Sequence, residues 1–583
     1  MQLNEAWECR KQQVMTEIET YLRYQDVFGT PSTLEQFETL MRALDLGLML
    51  RLFSPVNTIC ARRGLPNRDQ AQLALLRELF DEGTARKTLA YGMKSGRGVT
   101  VFHRKQCLFI LREAMRLCPD LPGMQPTDIQ ASLALVSLMA NDHVSATAPQ
   151  GTSPLDQVAA LMCDFIPVTE ANELRFEMAS VTRMHKIVHD IAPARAMGPA
   201  YFDVGQLFEK ASALPLSTYE ALSLAIMPRV LKSPVDVLTH SPDYGVHVNF
   251  FEQTQLSESQ RDAFFRLLAR TPDEFRARVN DRVPSLSDFT IFKESPFLRN
   301  PDRLVPMDIT ACMEKFEASI FWTIFGSLPE GQKEPFTSFW AAVFEDYIDW
   351  LLTNSVDQSL NRFYPSPRYA DGGREEVCDG ILVSGTTAVF IECKGGFIRG
   401  DAKYGGDPAK LRAEIEKKYV TPKGVFQIAK SIVTAMNRAS PRPIQGVDLS
   451  RVTTIMPVLI TRDDIGDGFF VNTYLDARFQ DAKRELSISK AIAPVYCTQL
   501  ICMSVDVIEK LTPYLVDTRL PAILADRMMS DRDLRGPFFM KPIASLTAKG
   551  TRPPHLLREL NAELSKVAAA FLKVEPTSER DAA

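Results

Sequence analysis

The stretch REEVCDGILVSGTTAVFIECKGG, residues 374–396, decides how this chain is read. Two apolar runs, GILV (380–383) and TTAVFIECK (386–394), flank Ser384-Gly385, a turn dipeptide, so the segment predicts a β-hairpin. Side chains alternate along a strand. Glu392 and Lys394 therefore share one face, and Cys393 points to the other, toward a core. With the turn near Ser384-Gly385, Asp379 falls on the neighbouring strand, a residue or two from facing Glu392. Two carboxylates and an amine converge among apolar neighbours, where an unpaired charge is costly.

Such a set suits a hard divalent cation. Mg²⁺ prefers oxygen ligands and keeps several waters for phosphate or nucleophile. Asp379 and Glu392 offer carboxylate oxygens, and the backbone carbonyl of Cys393 offers a third. A cation held there polarises a phosphoryl oxygen and lowers the pKa of bound water. Lys394 is placed to orient that water or to offset charge developing on the phosphorus oxygens.

On either side of the hairpin the chain alternates helix and strand from about residue 335. A helix is predicted over about 336–353, another from about 423, a strand at VTTIMPVLI (452–460), an extended run at 494–505 and a helix at 506–515. This is α/β order in a unit of about 200 residues. The upstream helix has Trp340, Phe344, Tyr347, Ile348 and Leu351 on its apolar face. Glu345 lies at that face's border, and Asp346 on the opposite, solvated side. The helix from 423 is expected to take Thr421 as its cap, with Pro422 in the first turn, and carries Gln427 and Lys430 on one face.

Asp379, a short hairpin and then Glu392-Cys393-Lys394 resemble the core of the PD-(D/E)XK nuclease superfamily, the restriction-endonuclease-like fold. That family has an acidic residue on the helix before the hairpin and often a Gln on the helix after it. Glu345 and Gln427 match those positions. The resemblance covers about 335–515. It implies a mixed sheet flanked by helices, with Asp379, Glu392, Lys394 and Gln427 as catalytic residues. The implied metal ligands are Asp379, Glu392, Glu345 and the Cys393 carbonyl, for Mg²⁺ or Mn²⁺. One departure is that Cys378, not Pro, precedes Asp379. Another is the long insert GGFIRGDAKYGGDPAKLRAEIEKKY between the triad and Gln427. Large single chains of this kind resemble bacterial anti-phage defence nucleases.

Glu-x-Lys alone carries little information, because Glu416-Lys417-Lys418 repeats it on a charged helical segment. The context of strand, turn, upstream Asp and flanking helices separates the two. Residues 394–442 hold eleven Lys/Arg and four Asp/Glu, a local excess of seven positive charges in a chain of net charge −5. A phosphate backbone is attracted to such a patch. Lys403, Lys410, Lys417, Lys418 and Lys430 are the candidate contacts, and DNA is the expected partner. A solvated pair of helices is the plain alternative.

Residues 1–330 read as a large, mainly helical region serving recognition or regulation, and possible contact with a partner protein or a second copy of the chain. Residues 331–530 form the nuclease-like domain, and 531–583 an extension with one helix (about 555–572) and a polar tail. Periodic apolar spacing marks helices at 34–53, 71–83, 257–283 and 311–326. Two short strands are expected around Asn300-Pro301-Asp302. His185 and His189 stand at i, i+4, a spacing that can bind zinc, but without the Glu of a His-Glu-x-x-His motif. GMKSGRGVT (92–100) lacks the ending of a phosphate loop and reads as a turn.

The chain has 583 residues, 45% of them hydrophobic and 24% charged, which excludes a disordered or collagen-like chain. Its ten cysteines form no Cys-x-x-Cys pair, so buried thiols in a reducing compartment are expected. MQLNEAWECRKQQ has no apolar stretch of a signal peptide, and no apolar run reaches the roughly 20 residues of a membrane span. A cytoplasmic, metal-dependent DNA nuclease is therefore expected. The alternatives are an inactive nuclease fold that binds nucleic acid, or a helical scaffold.

Overall fold

The computed structural model describes residues 21–552, apart from 62–67, 96–99, 122, 125–128, 145–152, 170–178, 199, 232–243, 253–255, 281–285, 287, 373–374, 540–541 and 551. The expected C-terminal helix at 555–572 lies outside the described residues. Two mixed sheets are set among many helices. The first is small: β1 (Val246–His247), β2 (Ala269–Arg270), β3 (Phe297–Arg299) and β4 (Arg303–Pro306), in the order β1-β4-β3-β2. β3 and β4 are the two strands expected around Asn300-Pro301-Asp302. β2 interrupts the long helix expected at 257–283. Ala269 and Arg270 leave the helical path to pair in parallel with Phe297 and Leu298, splitting it into Glu258–Leu268 and Pro272–Asn280. Sheet pairing overrides the helical period there.

The second sheet holds the hairpin. It comprises β5 (Arg362–Pro365), β6 (Gly380–Ser384), β7 (Thr387–Lys394), β8 (Thr454–Thr461), β9 (Tyr496–Cys497) and β10 (Ile501–Ser504). The order is β10-β8-β7-β6-β5, with β9 beside β8. β5, β6 and β7 run antiparallel, whereas β7, β8 and β10 run parallel. A two-residue loop, Gly385-Thr386, joins β6 and β7, with Gly385 at φ +62°. Such a loop needs a residue that tolerates positive φ.

The six inner residues of β7 are all buried, so both faces of the sheet are covered. Val389, Ile391 and Cys393 pack into a core shared with the Ile309–Ser327 and Glu330–Ser355 helices and with helices from 181–230. Ala388 and Phe390 pack on the other side, with the Val425–Met436 and Val471–Glu485 helices. That second layer also takes Met162 and Cys163 from the Pro154–Thr169 helix. A third core gathers residues 22–144 with 275–307.

These cores do not divide at residue 330. Arg183, 2% exposed, pairs with Glu317 at 2.8 Å and with Asp506 and Glu509 at 2.9 Å each. Tyr347 donates to Glu509 at 2.6 Å, closing a buried network between the first third of the chain and the sheet domain. Breaking such a pair on one side costs about 3–5 kcal/mol. At the other end Phe538, Ile543 and Leu546 return to the same core.

The Val425–Met436 helix starts two residues later than expected, and its cap position is Gly424, not Thr421. Thr421 closes the preceding turn, its N–H donating to Glu416 at 3.0 Å, and Gly424, at φ +84°, turns the chain into the helix. Gly92–Ser95, expected in a turn, end the Glu82–Ser95 helix. The nine described cysteines form no disulfide among the described residues, and all but Cys60 are buried. Among the described residues no single helix is long and apolar enough to cross a membrane.

Candidate functional site

Register brings the acidic pair together. Gly380 faces Ile391 across β6 and β7, so the next step places Asp379 opposite Glu392. The backbone N–H of Cys393 donates to Asp379 Oδ2 at 2.6 Å, fixing that carboxylate at the open end of the hairpin. Lys394 Nζ lies 2.5 Å from Glu392 Oε1 and 3.1 Å from the Cys393 carbonyl. Glu392 is fully buried, and its Oε2 has no hydrogen-bond partner.

The Glu330–Ser355 helix supplies a second acidic edge. It reaches the end of β7 because residue 395 is glycine: a Cβ there would lie 2.8 Å from Ala341 Cα and 2.9 Å from Phe344 Cβ. Glu345 feels Asp379 and Lys394 directly. Burial and the Asp379 charge push its carboxyl up to about 7. Burial also raises Asp379. Glu392 is pushed up to about 8, by burial first and then by Asp379 and Glu345, against the pull of Lys394. Burial opposes the charge on Lys394, yet Glu392, Asp379 and Glu345 together hold its ammonium above the usual lysine range.

Sequence reasoning missed Asp349. It stands one helical turn beyond Glu345, and the i, i+4 spacing was the available signal. Burial raises it to about 7, with smaller contributions from Asp346 and Asp379. Ser366 ties it in place, its Oγ donating to Asp349 Oδ2 at 3.1 Å while its N–H donates to the Asp379 carbonyl at 3.0 Å. Asp346, expected on the solvated side, is partly exposed and pairs there with Arg195, whose Nη2 reaches Oδ1 at 2.7 Å.

The basic candidates separate. Lys403, expected to face phosphate, is 5% exposed and pairs with Asp463 at 2.7 Å and with Asp464. Its short helix, Gly400–Tyr404, tucks the side chain inward, so it is a structural ion pair. Lys410 and Lys417 are exposed, as is Lys430 on its own helix, and Lys418 is half-buried beside Glu414. Gln427 is half-buried, and none of the triad's hydrogen bonds goes to it among the described residues.

A separate group forms where the Ala179–Lys186 helix widens into a π-turn at Ile187–Ile191. The rings of His185 and His189 lie 4.4 Å apart. Glu220, distant in sequence, reaches both: His189 Nε2 lies 2.7 Å from Oε2 and His185 Nδ1 3.5 Å from Oε1. Burial works against the Glu220 charge, but the two histidines hold its carboxyl below the usual range. His185, His189 and Glu220 can hold a metal ion, and among the described residues no other His/Cys/Asp/Glu trio brings its ligand atoms within 4.8 Å. The set around Glu392 is more open than that.

The open acidic set nevertheless fits a hard cation by chemistry. Its donors are oxygens only, and Glu392 Oε2 is buried without a partner. Glu392, Asp379 and Glu345 face the one ammonium of Lys394, and Asp349 lies near Asp379, a crowding of carboxyls that a divalent ion relieves. Compared with known protein families, curated proteins and solved structures, the chain finds no match.

Proposed function

We propose that the chain is a metal-dependent nuclease that hydrolyses phosphodiester bonds of DNA, with its centre at the end of the β6–β7 hairpin. The observation that carries the reading is the convergence of Asp379, Glu392 and Lys394 with Glu345 and Asp349, together with the partnerless Glu392 Oε2. Asp379, Glu392, Glu345 and the Cys393 carbonyl would hold Mg²⁺ or Mn²⁺. When bound, that ion supplies Lewis acidity toward the phosphate and an acidified water.

The chain's own residues do the rest. The Cys393 N–H keeps Asp379 aimed at the site. Lys394, which rests on Glu392 Oε1, would supply the positive charge that favours the pentacovalent transition state. The neighbouring cores exclude water from one side of the reaction. The helices of the first third act as selector or restraint, buttressing the sheet through Arg183.

The test is incubation of the purified chain with plasmid, linear DNA and RNA, in Mg²⁺, Mn²⁺ or chelator. Cleavage of DNA that chelator abolishes and Asp379→Asn eliminates is the expected result. Binding without cleavage would instead make the domain a gripping module.

A further inference from the structure

A cleft of about 560 Å³ is lined in part by Phe397 and Arg399, from the segment that follows β7. Its floor is aromatic: Phe321, Trp322 and Phe325 from the Ile309–Ser327 helix, and Phe397 from the loop after β7. Trp322 is 44% exposed, an unusual position for a side chain of that size. Its ring centroid lies 5.6 Å from that of Phe397 and 5.8 Å from that of Phe325. The rim is basic, with Arg399, Lys410, Lys417 and Lys418 facing a single carboxylate, Glu414. Lys418 and Arg399 engage Glu414, while Lys410 and Lys417 are exposed and make no ion pair among the described residues.

The floor is braced from within. Arg462, 1% exposed, lies with its guanidinium 4.9 Å from the ring centroids of both Phe397 and Trp340, and its backbone N–H donates to the Lys394 carbonyl at 3.0 Å. One residue thus links the cleft's aromatic wall to the end of the strand that carries the triad. Phe397 is three residues beyond Lys394, a span of at most about 11 Å of backbone.

An exposed indole beside partly buried phenyl rings and bordered by lysines suits unpaired nucleotides: bases stack on the rings and phosphates meet the cations. A duplex buries its base faces and cannot use the floor. A purely apolar partner would leave the lysine rim unused. We infer that this cleft binds an unpaired stretch of DNA, so that the substrate is single-stranded DNA or a duplex with a frayed or flapped end. This rests on the nuclease reading for the role of the bound strand, but the binding itself does not require cleavage.

The test is binding of the full chain to a fluorescent single-stranded DNA oligonucleotide, by anisotropy in chelator, against a blunt duplex and an RNA of the same sequence. Trp322→Ala is expected to weaken single-strand DNA binding about tenfold and to leave duplex binding unaltered. Lys410→Gln with Lys417→Gln should weaken it too and flatten its dependence on salt, because fewer counterions are released. Parent-level binding by Trp322→Ala would overturn the proposal, as would tighter binding of RNA than of DNA. Because Trp322 is exposed, loss of folding does not confuse the result, and circular dichroism checks it. Trp322-dependent binding in a chain that cuts nothing would uphold the cleft and sink the nuclease reading. Cleavage of blunt duplex that Trp322→Ala does not alter, with no single-strand binding, would do the reverse.

Discussion

The carboxylates around Glu392 and the group around Glu220 are both buried acids beside basic side chains, yet their protonation is pushed in opposite directions. Glu220 is held below the usual carboxylate range because two imidazoles lie against it, that of His189 in a hydrogen bond. Glu392, Asp379, Glu345 and Asp349 are all raised, because burial and mutual repulsion outweigh the pull of Lys394 on the first three and of the Ser366 hydroxyl on Asp349. The first group sets two imidazoles against one carboxylate, with Glu220 Oε1, like Glu392 Oε2, buried without a hydrogen bond. The second is short of positive charge, which is the state expected of a site that completes itself with a cation. The difference teaches that closeness of ligand atoms, greatest at the histidines, is a different property from unmet demand for charge.

The largest expected effect breaks the comparison on activity. Glu392→Gln or Asp379→Asn should lower metal-dependent DNA cleavage by about a thousandfold, whereas His189→Ala leaves it at the parent rate. Loss of cleavage in the histidine variant, with Glu392→Gln active, would move the centre to the other site. Next in size is Lys394→Met. It should reduce turnover about a hundredfold and leave the substrate concentration for half-maximal rate near that of the parent. A change confined to that concentration would make Lys394 a gripping residue.

Stability against pH sharpens the contrast. A carboxyl raised from 4.5 to about 8 holds a proton in the folded state that the unfolded state has released. Metal-free protein should therefore lose stability as pH rises through that window, and Glu392→Gln should flatten the slope. Glu220, lowered, contributes stability above the ordinary carboxylate pKa that is lost as pH falls through its folded value. Glu220→Gln should thus cost about 1–3 kcal/mol at neutral pH and leave the alkaline slope in place. Thermal melts in chelator from pH 5 to 9 decide this, and identical slopes for parent and Glu392→Gln would remove the charge argument. The smallest effect is expected of Asp349→Asn, about tenfold in Mn²⁺ affinity by calorimetry, with the fold unchanged.

Much of the candidate site was legible because it is local. Asp379, Glu392, Cys393 and Lys394 lie on one hairpin, so alternation and a turn dipeptide placed them. Glu345 followed from a helical wheel. Asp349 was available by the same wheel, one turn beyond Glu345 on the same helix. Lys403 misled because a charge count cannot see Asp463 and Asp464, some sixty residues on, which draw it inward. Glu220 gave no signal at all beside His185 and His189, since it arrives from another helix.

What the sequence determined by itself was periodic: the hairpin, the helices flanking it, the α/β order from about 335 and the helical character of what precedes it. Each is set by interactions among residues near in the chain, through turn chemistry and the spacing of apolar side chains. What tertiary structure decided was partnership. It joined the first third of the chain to the sheet through Arg183, broke the 257–283 helix for a strand pairing, and turned Lys403 inward. It also brought Trp322, Phe397, Lys410 and Lys417 to one cleft. Burial and charge neutralisation act between residues far apart in sequence, and no local pattern encodes which distant group will meet which.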